Sequence, residues 1–187
     1  MMRVLRLAVA ALTAWAMTAA VLAAESTVGG SRFVVSIMDQ ATREWHSAEG
    51  SVVPLRPDQA CFGWQLYLVT ESPTVTVTEI FSTPVRPAHW PDDPNIKLLE
   101  GGRVAEVTLT FPMLARTWLD RGAERATAGW IGHGWCIEQG DPAGTHIIDV
   151  REGDRLLHRF CFLVIPDDAD PTAPQWGAPA ECGAPIS

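Results

Sequence analysis

"GTHIIDVREGDRLLHRFCFLV", residues 144–164, is the stretch on which the fold turns. His146, Ile148 and Val150 alternate along its first half, Leu156, Phe160, Phe162 and Val164 share a parity in its second, and Glu152-Gly153-Asp154 lies between. Alternation with a period of two is the mark of a strand with one buried face. An acidic-glycine reversal supplies a residue free to take positive φ, as a tight hairpin needs. The stretch therefore predicts two antiparallel strands.

Upstream, the same pattern recurs. In "CFGWQLYLVT" (61–70) Phe62, Trp64, Leu66 and Leu68 share one parity, and Trp64 reads as a core residue. "SRFVVSIMDQ" (31–40) is a further strand, as is "TVTVTEIFSTP" (74–84), where Val75 and Val77 face one way, Glu79 and Phe81 follow their parity, and threonines line the other side. "GRVAEVTLTFP" (102–112) alternates with an ambiguous parity at Ala105 and Glu106. "PVRPAHWPDDPN" (84–95) cannot continue a ladder, because proline lacks the backbone donor, and reads as a loop. Residues 113–128 suggest at most one helical turn in a long connection. "GWIGHGWCIEQGDPAG" (129–144) reads as a Gly-rich segment with a short strand around Trp135 to Glu138. Short strands between frequent Gly and Pro predict an all-β antiparallel sandwich of about seven to eight strands, spanning residues 25–166.

The ending "DPAGTHIIDVREGDRLLHRFCFLV" resembles the last two strands of immunoglobulin-like β-sandwich domains of exported, largely uncharacterised bacterial proteins. The resemblance implies that fold for the body of the chain and no particular activity. The spacing of Cys61 and Trp64 differs from the Cys, Trp and Cys spacing of antibody domains.

The first residues have the layout of a secretory signal peptide: Arg3 and Arg6, then an Ala/Leu/Val run, then small residues at Ala23 and Ala24. Cleavage after Ala24 is the expected outcome, with retention as an anchor the alternative. Removing two arginines with the leader takes the net charge from −8 to −10. Such an acidic chain repels phosphate backbones and anionic lipid, so nucleic-acid and peripheral membrane binding are not expected. Residues 167–187 form a Pro/Ala/Gly-rich tail, which Trp176 and Cys182 would tether to the domain. The leader points to a periplasmic or secreted bacterial protein.

Four cysteines in an exported chain predict two disulfides, with three possible pairings. Cys161 lies opposite in parity to Phe160 and Phe162, so Cys136 and Cys182 are both candidate partners. The preferred reading joins Cys136 to Cys161 and Cys61 to Cys182. The repeated spacing of "HGWC" and "HRFC" raises a zinc site from His133, Cys136, His158 and Cys161, but residues three apart on a strand face opposite sides. Metal binding through His133 and Cys136 stays a second alternative; the scattered His46, His89, His146, Met38 and Met113 offer no copper cluster. No cofactor is expected.

No nucleophile elbow, zinc-protease helix, phosphate loop or dinucleotide fingerprint occurs. Folding could still pair acids among Glu79, Asp92, Asp93, Glu138 and Asp149, so a hydrolase of an envelope polymer is the first alternative. Tryptophan is the more informative excess. Trp90, Trp130, Trp135 and Trp176 lie in Pro-rich or Gly-rich surroundings where indoles offer area to a sugar or protein partner, or else cap the open ends of a sandwich. With His133 they form the candidate ligand site of a non-catalytic binding module, whose partner would be an envelope protein or a glycan.

Overall fold

The computed structural model describes residues 25–88, 90, 93–113, 127–170 and 182. Residues 1–24, the connection 114–126 and all of the tail beyond residue 170 except Cys182 lie outside them, and with them Trp118, Trp176, His89 and Asp92.

The hairpin at 144–164 is present as two long strands, β9 (Gly144–Glu152) and β10 (Arg155–Ile165), with Gly153 at φ 57° in the reversal. Before them come β1 (Thr27–Met38), β2 (Trp45–Glu49), β3 (Val52–Pro54), β4 (Ala60–Thr70), β5 (Thr74–Ser82), β6 (Ile96–Leu99), β7 (Val104–Pro112) and β8 (Thr127–Cys136). The described residues thus hold ten strands rather than seven or eight. The excess comes from β2, β3 and β6, which are short and lie at sheet edges, where too few residues alternate to be read from sequence.

Two sheets face each other. Sheet A has the order β2-β1-β4-β8 and sheet B the order β3-β10-β9-β5-β7-β6. All pairings are antiparallel except that of β3 with β10. The core forms where the inward parities meet: Phe62, Trp64, Leu66 and Leu68 from β4 against Val75, Val77, Ile148, Val150, Phe160 and Phe162 from sheet B. Burying side chains of this size contributes about 1.5–3 kcal/mol each, which is why these residues fix which faces turn inward. Phe33 stacks on Phe162 at 4.6 Å and joins the sheets across the middle.

Two local departures change which residues point inward. A register shift between Leu156 and His158 turns Leu157, not Leu156, into the core; a β-bulge reverses parity in this way. The glycine-rich 129–136 segment lies within the ten-residue strand β8, Thr127–Cys136, which pairs with β4 along its whole length, so the strand begins well before Trp135 and ends at Cys136 instead of running on to Glu138.

The disulfides are Cys61–Cys136 and Cys161–Cys182, so the preferred pairing of Cys136 with Cys161 and of Cys61 with Cys182 is corrected. Cys61 and Cys136 stand directly opposite in the β4–β8 ladder on the outer face of sheet A, whereas Cys161 faces outward from sheet B. One sheet's outer face cannot reach the other's, so the tail cysteine must serve β10. No described cysteine is free. Two disulfides mark a chain that matures outside the reducing cytoplasm. No described helix is long and apolar enough to cross a membrane.

Candidate functional site

Glu79 follows the inward parity of β5 and is fully buried. A lone carboxylate there would be costly, and three donors from sheet A meet it. Trp64 Nε1 donates to Oε2 at 2.5 Å, Trp135 Nε1 donates to Oε1, and His133 Nδ1 lies 2.9 Å from Oε2. Register explains the convergence: Trp64 and His133 are cross-strand partners in β4 and β8, and Trp135 is two residues farther on the same face. With Nδ1 hydrogen-bonded to the carboxylate, the imidazole is oriented with Nε2 as its remaining polar atom. The cluster joins the two sheets through polar contacts at one end of the apolar core.

Directly outside this cluster, the opposite parity of the same strands builds a groove of about 590 Å³, within the range of roughly 300–1,000 Å³ usual for small-ligand sites. Three cross-strand rows make it. Arg32 pairs with Gln65 and Gly132, Val34 with Gly63 and Gly134, and Ser36 with Cys61 and Cys136. The middle of the floor is therefore glycine. A Cβ added at Gly132 would come within 2.6 Å of Trp64 O, and one at Gly63 within 2.7 Å of His133 O. At Gly134 the distance to Phe62 O would be 3.0 Å. The backbones approach too closely for side chains, so a depression in the sheet face is built into the chain.

The disulfide closes one end of the groove. At the other stands Trp130, half exposed, with the Arg32 guanidinium 4.5 Å above its ring and Tyr67 packed beside it. Arg32 Nε donates to Gln65 Oε1 at 2.5 Å. Among the described residues Arg32 has no carboxylate within ion-pairing distance, and the groove lining contains neither Asp nor Glu.

The tryptophans thus divide. Trp130 faces outward on sheet A. Trp135 is on the opposite face of its strand, packed edge-on against Trp90 and tilted against Phe81. Trp90 donates to Gly102 O at 2.7 Å and covers the end of the core, in keeping with a cap. Trp176 lies outside the described residues. His133 points inward while Cys136 points outward into a disulfide, so a metal site shared by the two is ruled out by strand parity. His158 rests on Phe160 at 4.4 Å, and burial lowers its pKa. No group of three or more described His, Cys, Asp or Glu residues could hold a metal.

The acids raised as a catalytic pair do not converge among the described residues. Glu79 lies inside the core, Asp149 accepts a two-point bond from Arg159 at 2.6 and 2.7 Å, and Asp93 bonds the Asn95 backbone and side chain. Glu138 sits beside a smaller cleft at the end of the sandwich, near Asp141 and His146. His146 is buried against Phe162, and desolvation lowers its pKa to about 4 despite a bond to Gly144 O.

The architecture is that of a disulfide-stapled, predominantly antiparallel β-sandwich with a buried inter-sheet carboxylate. Its residues 31–165 match the model of the PM0630 beta sandwich domain, and the chain belongs to that family. It is similar to the crystal structure of an immunoglobulin-like protein from Pseudomonas aeruginosa, at 17% identity and a TM-score of 0.46, covering 77% of this chain and 99% of that one. No curated protein matches the chain.

Proposed function

We propose that this chain is an exported, non-catalytic binding module of a bacterial envelope and that it holds its ligand in the glycine-floored groove of sheet A. The carrying observation is the floor itself: at Gly63, Gly132 and Gly134 neighbouring backbone leaves little or no room for a Cβ. Side chains alone could be removed by any small residue, whereas this depression is fixed by the ladder. The signal-like leader and the two disulfides support maturation in the periplasm or outside the cell. Trp130, named from sequence as a candidate contact, borders the groove; His133 lies beneath its floor as a positioning residue through Glu79.

Amide and indole chemical-shift mapping on the oxidised protein tests this, using a panel of envelope glycans and periplasmic proteins. Shifts concentrated at Arg32, Gly63, Gly132 and the Trp130 indole are expected. Shifts confined to sheet B, or none across the panel, would overturn the assignment.

A further inference from the structure

We infer that the ligand of this groove is a carboxylate-bearing saccharide, an inference that rests on the groove assignment above. Three observations lead to it. The chain carries a net charge of −8, yet the groove contains no acid and one guanidinium held in place by Trp130 and Gln65. The nearest acid in register, Glu49 of β2, lies beyond Val34, outside the lining, and makes no ion pair with Arg32. A fixed cation in an otherwise acidic molecule favours an anion at that point and disfavours one elsewhere.

The floor then separates saccharide from peptide. Strands β1 and β4 spend their backbone donors and acceptors on their strand neighbours, so an extended peptide lying over the floor finds no main-chain partners there, and only β8, at the edge of the sheet among the described residues, keeps one side open to strand addition. The lining instead holds planar or hydroxylic side chains: the Arg32 guanidinium, the Gln65 amide whose oxygen accepts from Arg32, the Ser36 hydroxyl bonded to Ser47, and the Trp130 indole. Flat hydrogen-bonding groups beside an aromatic and a smooth floor suit sugar rings, whose hydroxyls need partners around the rim and whose C–H faces need apolar contact. With Nε committed to Gln65, the Nη1 and Nη2 donors of Arg32 are left, and a guanidinium can grip a carboxylate at two points.

Three titrations followed by shift mapping provide the test: oligogalacturonate, the same oligomer fully methyl-esterified, and oligoglutamate of equal charge. The expected result is that only the free acid sugar moves the groove resonances, weakens with added salt, and loses about tenfold or more in affinity in Arg32→Gln, with the melting temperature unchanged. Equal binding of the methyl ester, unaltered affinity in Arg32→Gln, or preference for oligoglutamate would each overturn the ligand class while leaving the groove as the site. If all three probes leave the groove unmoved, the saccharide inference fails; if the wider panel also leaves it unmoved, the binding-site assignment fails with it.

Discussion

Replacing Glu79 by glutamine removes one charge and one acceptor while keeping the shape of the side chain. The carboxylate receives Trp64 and His133 on one oxygen and Trp135 on the other. Glutamine offers one oxygen and one amide, so whichever way it turns, its NH2 group faces at least one N–H donor inside the core. A buried unsatisfied donor costs about 1–3 kcal/mol, and the surviving bonds lose charge assistance worth about 1 kcal/mol. Glu79→Gln should therefore destabilise the protein by roughly 2–4 kcal/mol, or about 5–15 °C in melting temperature for a chain of this size. Urea unfolding of the oxidised protein, followed by far-ultraviolet circular dichroism, measures it. Adding Trp135→Phe should return part of the loss, because it removes a donor that glutamine leaves opposed; the coupling between the two changes isolates that contact. A glutamine variant within about 0.5 kcal/mol of wild type would refute the claim that the carboxylate holds the sheets together.

Other outcomes follow from the same structure. Burial holds His146 at about 4 against an ordinary 6.5, so the unfolded chain binds a proton that the folded one refuses between those values. Stability should fall by about 3 kcal/mol as pH drops from 6.5 to 4, and His146→Phe should flatten that slope while keeping the stack on Phe162. Serine replacement of Cys61 and Cys136, joined across 75 residues, should cost about 4 kcal/mol, and replacement of Cys161 and Cys182, joined across 21, about 3 kcal/mol. Thermal melts of both variants would show the opposite ranking if chain entropy is not the governing term. Gly132→Ala should destabilise by about 1–3 kcal/mol, because its Cβ meets backbone at 2.6 Å, whereas Gly50→Ala, with open space around it, should change little. Similar melts for the two would remove the steric account of the groove floor.

The hairpin at 144–164 and the alternating run of β4 were legible because large apolar residues at a period of two dominate the energy and leave one arrangement. The bulge at Leu156 to His158 was not, since a one-residue insertion leaves no trace in composition. Only a short strand around Trp135 to Glu138 is legible in the glycine-rich segment, because glycine's poor strand propensity masks the longer β8, which close pairing with β4 extends back to Thr127. At the site, Glu79 carried a usable signal: an acid on the parity of Val75, Val77 and Phe81 must find partners inside. Its partners are 15, 54 and 56 residues away in sequence, and nothing local names them. Trp130 and His133 stand three apart in one strand, yet alternate parity sends the first to the outer face and the second, half-buried, inward to Glu79.

By itself the amino-acid order determined a sandwich of half-buried strands and an even set of cysteines suited to oxidation, because both follow from side-chain type and local period. Tertiary structure alone decided which cysteines meet, which indoles reach Glu79, and that three glycines from two strands line up under one groove. Those outcomes depend on which strands become neighbours and in what register, and the long-range packing that sets register is a property of the whole chain.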